Sequence, residues 1–261
     1  MRLWPDVPWH KAVWVEQGWD FLVALVDGWV LRIPRSHGAQ WRLARERYLL
    51  QKLSNPPVQI PCYQERSTGL WGYPMISGLA MGTLSPGTPL WEETCAFIRW
   101  LHRMSETDSD VVRSRWQRRY QSRIRGVLQD VGPLLSVREY RQVEYVFKEA
   151  DQQLAASRWP VVLLHGDLVA EHLLVDGGHL AGVIDFGDWR FGDPMFDWSG
   201  LPVKDYRILG SDRPPGEAAR LSGYRLLYGL LSVRHAMAAG NVERAEQGMR
   251  SVRRILFAEI G

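Results

Sequence analysis

The sequence predicts an α+β fold: a small strand-rich first part, then a larger and mainly helical part that carries a β insert. Three observations predict it. DFLVALVDGWVLRIPR, residues 20–35, is two apolar runs around Asp27-Gly28, a hairpin signature. From residue 91 onward apolar residues recur at helical spacing. Between those helices lies LHGDLVAEHLLVDGGHLAGVIDFGD, residues 164–188, two short strand-like runs about Gly177-Gly178. At 261 residues the chain is long enough for one large or two small domains. A boundary near residue 79, in SGLAMG, divides it into residues 1–79 and 80–261.

In chain order, the Asp27-Gly28 hairpin is followed by AQWRLARERYLLQKL, residues 39–53, a helix ended by Asn55-Pro56-Pro57. GYPMIS, residues 72–77, reads as a short strand. EETCAFIRWLHRM sets Phe97, Leu101 and Met104 on one helical stripe. Residues 113–129 and 136–156 form two more helices, broken near Gly132-Pro133. EAARLSGYRLLYGLLSVRHAMA and NVERAEQGMRSVRRILFAEI complete the helical set.

Composition narrows the class. A hydrophobic fraction of 46% and a charged fraction of 23% are those of an ordinary globular chain. Two distant cysteines, Cys62 and Cys95, predict neither a disulfide framework nor a metal site, and fit a reducing cytoplasm. The N-terminal residues lack a signal-peptide core, and no apolar run is long enough to predict a membrane span. The net charge of +3 is mild. Arg113, Arg115, Arg118, Arg119, Arg123 and Arg125 form a basic cluster, read as a solvated helix face in preference to a nucleic-acid patch.

Residues 164–188 hold charged groups in apolar company, and burying an unpaired charge is costly. A two-residue turn at Gly177-Gly178 sets Asp176 opposite His179, Leu174 opposite Ala181 and His172 opposite Val183. His172 and Asp185 then become diagonal neighbours on one face, with Cβ atoms roughly 7–8 Å apart, a separation that lets both reach one ion. Asp176 and His179 close the turn in solvent. Asp167 falls in the loop before the hairpin. A carboxylate there either caps a turn or, beside a bound cation, accepts a proton from an attacking hydroxyl.

Glu46 sits on the apolar stripe of the first helix with Leu43, Leu50 and Leu53, so a buried carboxylate there needs a partner. Arg32 alternates with the bulkier Leu31 and Ile33 on the preceding strand. Either Arg32 pairs with Glu46, or Glu46 rims the stripe and Arg32 extends to water.

Taken together, these pieces resemble a protein-kinase-like two-lobe fold. The kinase parts are a strand-borne cation, its helix glutamate, H-R-D-x-x-x-x-N and D-F-G. Here the corresponding order is Arg32, Glu46, His165-Gly166-Asp167 with His172, and Asp185-Phe186-Gly187. HGD followed by IDFGDWRFGDPMFDW resembles the aminoglycoside and macrolide phosphotransferase family more than the protein kinases. GWVLRIPR and YPMISG are similar to that family's third strand and hinge. The resemblance spans about residues 15–200. It implies a small N-terminal antiparallel β lobe that binds nucleotide, residues 1–79, and a larger helical lobe with a catalytic β-hairpin, residues 80–261. It implies transfer of the γ-phosphoryl group of ATP or GTP to a small-molecule hydroxyl, with Asp167 as base and Mg²⁺ held by Asp185 and His172. Arg32, positioned by Glu46, would hold the α- and β-phosphates. The backbone at Met75, Ile76 and Ser77 would meet the base edge, and Gly18 would lie over the phosphates. The resemblance further implies that His165 would brace its loop, and that Asp193 and Asp197, which match GDPxxD, would fix the segment after the metal site.

The sequence departs from the family pattern in three places: EQGWD has one glycine where a glycine-rich turn is usual, Arg32 stands for lysine, and His172 for asparagine. Arginine keeps the charge and offers a planar fork to phosphate, whereas Mg²⁺ prefers oxygen to imidazole. The helices after residue 105 hold more basic than acidic residues, which favours an acceptor less cationic than an aminoglycoside, such as a macrolide, a sugar or a small metabolite. Trp189 and Trp198 flank the hairpin as pocket wall or core. The expected protein is a cytoplasmic monomer without nucleic-acid or membrane partners. Two other readings are a non-catalytic nucleotide-binding pseudokinase and a metal-dependent phosphohydrolase built on His165, Asp167, His172 and Asp185.

Overall fold

The computed structural model describes residues 4–15, 20–106, 108–203 and 215–258. The chain forms two compact units: Met1–Trp100 with Val169–Trp189, and Leu101–Leu168 with Arg190–Gly261.

The first unit holds an antiparallel sheet of five strands in the order β1-β2-β3-β5-β4. These are β1 (Val13–Val15), β2 (Phe21–Val26), β3 (Trp29–Pro34), β4 (Gln64–Ser67) and β5 (Leu70–Pro74). The expected hairpin is β2–β3, closed by the pair Val26 and Trp29. Asp27 at φ 46° and Gly28 at φ 79° supply the two left-handed residues that such a turn requires. Helix α1 (His37–Leu50) begins two residues before the expected start, because the Ser36 hydroxyl accepts the Ala39 N–H at 3.1 Å. It also ends before residue 53. Lys52 N–H turns back to the Leu49 carbonyl at 2.7 Å, and Asn55 then takes φ 50°.

The strand expected over residues 72–77 closes at Pro74, after which Met75 N–H adds one bond to the Gly28 carbonyl at 2.8 Å. The chain then crosses to a three-stranded sheet of β6 (Leu79–Ala80), β8 (Leu173–Asp176) and β9 (His179–Val183). Gly78 makes the crossing at φ 121°, where a Cβ would lie 2.9 Å from the Val175 carbonyl oxygen.

The β8–β9 hairpin starts in the expected register, Asp176 opposite His179, and then slips. Leu174 faces Gly182 and Leu173 faces Val183, so His172 does not oppose Val183. The cause is distant in sequence. Gln59 forms a parallel bridge at Gly182: its N–H donates to Ala181 O at 3.2 Å, and Val183 N–H donates to its carbonyl at 2.9 Å. That third partner inserts the extra residue of a bulge. His172 instead ends a short 3₁₀ turn, Ala170–His172. His179 is exposed as expected, with Nδ1 2.7 Å from Glu93 Oε1 on α2 (Pro89–Leu101). Phe97 and Leu101 of α2 are buried, whereas Met104, expected on their stripe, lies past the helix end.

The second unit contains α3 (Ser109–Val131), α4 (Val137–Ala156), α5 (Met195–Ser199), α6 (Pro215–Ala238) and α7 (Val242–Ala258), with β7 (Val162–Leu164) paired to β10 (Arg190–Gly192). The break at Gly132-Pro133 is a 3₁₀ turn, and Ser136 with Glu139 forms a capping box that starts α4. Trp116, Tyr120, Phe196 and Tyr224 pack edge to face in the core, with centroids 5.2–6.1 Å apart. No helix among the described residues is long and apolar enough to cross a membrane.

Candidate active site

In the first unit a single guanidinium organises the charged residues. Arg32 on β3 is 7% exposed and Glu46 on α1 is 0% exposed, and Arg32 Nη1 lies 2.7 Å from Glu46 Oε2. Of the two readings left open by the sequence, the structure takes the pair. Tyr63, which sequence reasoning missed, completes it: its hydroxyl accepts from Arg32 Nη1 at 3.0 Å and donates to Glu46 Oε1 at 3.3 Å. Phe186 N–H donates to Glu46 Oε1 at 3.3 Å, and the Phe21 ring lies 4.0 Å beneath the guanidinium carbon. Burial pushes the Glu46 carboxyl up, to about 7, and the Arg32 charge pulls against it. A carboxyl this buried without the guanidinium would stay protonated. Burial and the neighbouring Glu46 also hold the Tyr63 phenol well above its ordinary value, so it acts as a neutral hydrogen-bonding group.

The other fork of the guanidinium, Nη2, reaches Asp185 Oδ1 at 3.3 Å. Asp185 is left-handed, φ 64° and ψ 62°, a conformation that Asp tolerates better than most residues. Its Oδ2 stands 3.6 Å from His172 Nε2. The two side chains therefore converge as the face argument expects, although the register that argument used is off by one. Ile184 N–H to His172 O, at 3.0 Å, holds the two segments together.

The expected hinge residues divide. Ile76 is buried, and a Cβ on Gly182 would lie 2.6 Å from its Cγ2, so this segment packs directly on β9. Met75 and Ser77 are exposed. Gly18 lies outside the described residues. Trp189 is half-buried, with its indole N–H donating to Arg45 O at 3.1 Å.

In the second unit Asp167 follows β7 on a loop that turns through Gly166 at φ 87°. Asp197, fully buried on α5, fastens that loop. Its carboxylate accepts His165 N–H at 2.9 Å, Gly166 N–H at 3.0 Å and His102 Nε2–H at 3.0 Å. Burial raises the Asp197 carboxyl, but the His102 hydrogen bond and charge outweigh it and hold the group below its ordinary value. Asp197 thus fixes the segment before Asp167 as well as its own. His102 is a second residue that the sequence did not disclose. The expected brace is present: Asp167 N–H donates to His165 Nδ1 at 3.3 Å, which leaves the ring proton on Nε2. Tyr228 on α6 donates to Gly166 O at 3.4 Å. Asp193 is buried and tied to Arg220 Nε at 2.7 Å and the Tyr224 hydroxyl at 3.0 Å.

A five-stranded antiparallel sheet carrying a cation paired to a helix glutamate, a hairpin that leads into Asp185-Phe186-Gly187, and a mainly helical second unit are the parts of the protein-kinase-like architecture. Residues 13–236 match the sequence model of the Phosphotransferase enzyme family, and the chain belongs to that family. Its fold is similar to those of solved phosphotransferases. The GDP and kanamycin complex of APH(2")-IIIa superposes with a TM-score of 0.76 at 21% identity, over 98% of this chain and 96% of that one. Macrolide 2'-phosphotransferase MphH from Brachybacterium faecium gives 0.64 at 21%, over 95% and 93%. The streptomycin–ATP–APH(2")-IIa ternary complex gives 0.64 at 17%, over 93% and 92%. No curated protein matches significantly.

Proposed function

We propose that this phosphotransferase moves the γ-phosphoryl group of ATP or GTP to a hydroxyl of an aminoglycoside, a macrolide or a related small metabolite. The observation that carries the reading is the Arg32 guanidinium, held by Glu46 and Tyr63 with one fork turned to Asp185. A fixed planar cation next to a metal-site carboxylate suits a polyphosphate. Related folds were solved with GDP and kanamycin, and with ATP and streptomycin, which supports a nucleotide donor and a polyhydroxylated acceptor.

In this mechanism Arg32 binds the α- and β-phosphates, and the backbone at Met75, Ile76 and Ser77 meets the base edge. Asp167, on a loop pinned by Asp197, orients the acceptor hydroxyl and takes its proton. The hydroxyl oxygen forms a bond to the γ-phosphorus as the bond to the β-phosphate oxygen breaks, and the nucleoside diphosphate leaves. Asp185 and His172, whose side chains approach to 3.6 Å, would hold Mg²⁺. No group of three potential metal-ligating side chains occurs among the described residues. The Asp185 carboxylate suits a hard cation that takes one or two protein ligands and completes its shell from phosphates and water. A divalent cation held there would neutralise phosphate charge. The functional division runs 1–79 for nucleotide and 80–261 for catalysis and acceptor, in a cytoplasmic monomer.

The test is a consumption screen with ATP and GTP across aminoglycosides, macrolides, sugars, choline, amino-acid alcohols and hydroxy acids. The reading expects nucleotide turnover that depends on one acceptor class, with a phosphorylated acceptor seen by mass spectrometry. Turnover at the same rate without any acceptor would contradict it.

A further inference from the structure

A groove of about 710 Å³ lies within the first unit, between the last turn of α1, residues 53–63 and the end of β5 with the two residues after it. Ligand pockets span roughly 300–1,000 Å³, so it has room for a small molecule. Its walls are preformed. Pro56, Pro57 and Pro61 have a fixed φ. The Gln59 backbone is bonded to β9 through both its N–H and its carbonyl.

Most of the lining is apolar, and Met75, one of its large side chains, is 53% exposed. Arg47 is the one charged side chain on the wall, and no Asp or Glu among the described residues lines it. The Arg47 guanidinium lies over the Trp71 ring, and its Nε is buried without a hydrogen-bond partner among the described residues. Burial pulls this guanidinium below its ordinary value, against the charge of Glu65. A cation that has lost water and keeps an unspent donor is best satisfied by an anion.

The groove is distinct from the phosphate side of the candidate active site. None of its lining residues lies on β1, β2 or β3 or belongs to the His172–Asp185 pair. It shares Tyr63, whose hydroxyl joins Arg32 to Glu46, so an occupant rests against the residue that completes that pair.

We propose that this groove binds a small carboxylate with an apolar body, at a site separate from the nucleotide's. The carboxylate meets Arg47 in a charge-assisted hydrogen bond, stronger than a neutral one. The apolar walls take the rest of the molecule. An amine of the same length sets a like charge beside Arg47 and is rejected.

The probe is octanoate, with octylamine as its cationic counterpart, and the full chain carries its own reporter. Cys62 lines the groove and is exposed, whereas Cys95 is buried, so iodoacetamide labels Cys62 selectively and intact mass follows the rate. Saturating octanoate should slow that labelling, and octylamine at the same concentration should not. In calorimetry octanoate should bind saturably, about tenfold more weakly in Arg47→Gln. Its affinity should be unchanged in Lys52→Gln, an exposed cation off the wall. Val58→Trp, which fills the groove and keeps Arg47, should abolish binding. With saturating Mg²⁺ and ADP octanoate should still bind, and ADP alone should leave the Cys62 rate unchanged. No saturable octanoate binding, or equal affinity in wild type, Arg47→Gln and Val58→Trp, would overturn the proposal. Labelling blocked by ADP as fully as by octanoate would overturn it too, since the groove would then hold nucleotide. Failure of ADP to bind at all would overturn the phosphotransferase reading and leave the groove standing.

Discussion

Replacing Glu46 with alanine removes one carboxylate and disturbs three groups at once. Arg32 Nη1 loses its 2.7 Å partner, the Tyr63 hydroxyl loses its acceptor, and Phe186 N–H is left without the side chain it donates to. Both Arg32 and Glu46 are buried, so water cannot replace the lost bonds. Breaking a buried pair by deleting one partner costs about 3–5 kcal/mol. For a chain of this size each kcal/mol shifts Tm by roughly 2–4 °C, so the variant should melt on the order of 10 °C lower. Differential scanning fluorimetry of wild type, Glu46→Ala, Glu46→Met, Arg32→Met and the double variant Arg32→Met/Glu46→Met measures it. The double variant should be less destabilised than the sum of its parts, because no buried charge is then left alone. A Glu46→Ala melt within about 2 °C of wild type would refute the reasoning, since the pair would then be solvated or redundant.

Asp185→Ala should abolish the Mg²⁺-dependent protection that nucleotide gives in thermal melts; protection equal to wild type would remove Asp185 from the metal site. At residue 172, asparagine should be tolerated better than leucine, because only the former keeps a donor atom near Asp185; equal loss of turnover in both would end the ligand assignment. Acid should reveal the α4 cap. Hydrogen bonds from Ser136 N–H and Arg253 hold the Glu139 carboxyl down at about 2. With the folded value depressed, its stabilisation is complete above about pH 4.3 and is lost as pH falls toward 2. Glu139→Gln should therefore lower Tm at pH 6, with the gap closing in acid; a gap independent of pH would contradict the charge-based account.

Much of this was legible because it is local. The β2–β3 turn follows from Asp27-Gly28, and the burial of Glu46 follows from its place on the α1 stripe. The kinase-like order was legible because HGD, His172 and DFG lie within one short stretch. What the sequence hid is non-local. The β9 bulge comes from Gln59, more than a hundred residues away, and a one-residue slip moves every side chain to the other face. Tyr63 and His102 belong to no motif, and each shows its purpose only beside a carboxylate that it helps to saturate. Hydrogen-bond arithmetic offers a partial signal. A buried carboxylate accepts several bonds, so Glu46 and Asp197 each needed more donors than the motif supplied.

The central claim is that Asp167 performs the proton transfer in a chain whose nucleotide site is built elsewhere. Single-turnover phosphoryl transfer by Asp167→Asn, measured beside nucleotide affinity, tests it most directly. The account predicts an unchanged dissociation constant for Mg²⁺-nucleotide and a transfer rate lower by roughly 10²–10⁴. A variant that transfers at the wild-type rate to the same acceptor would contradict it.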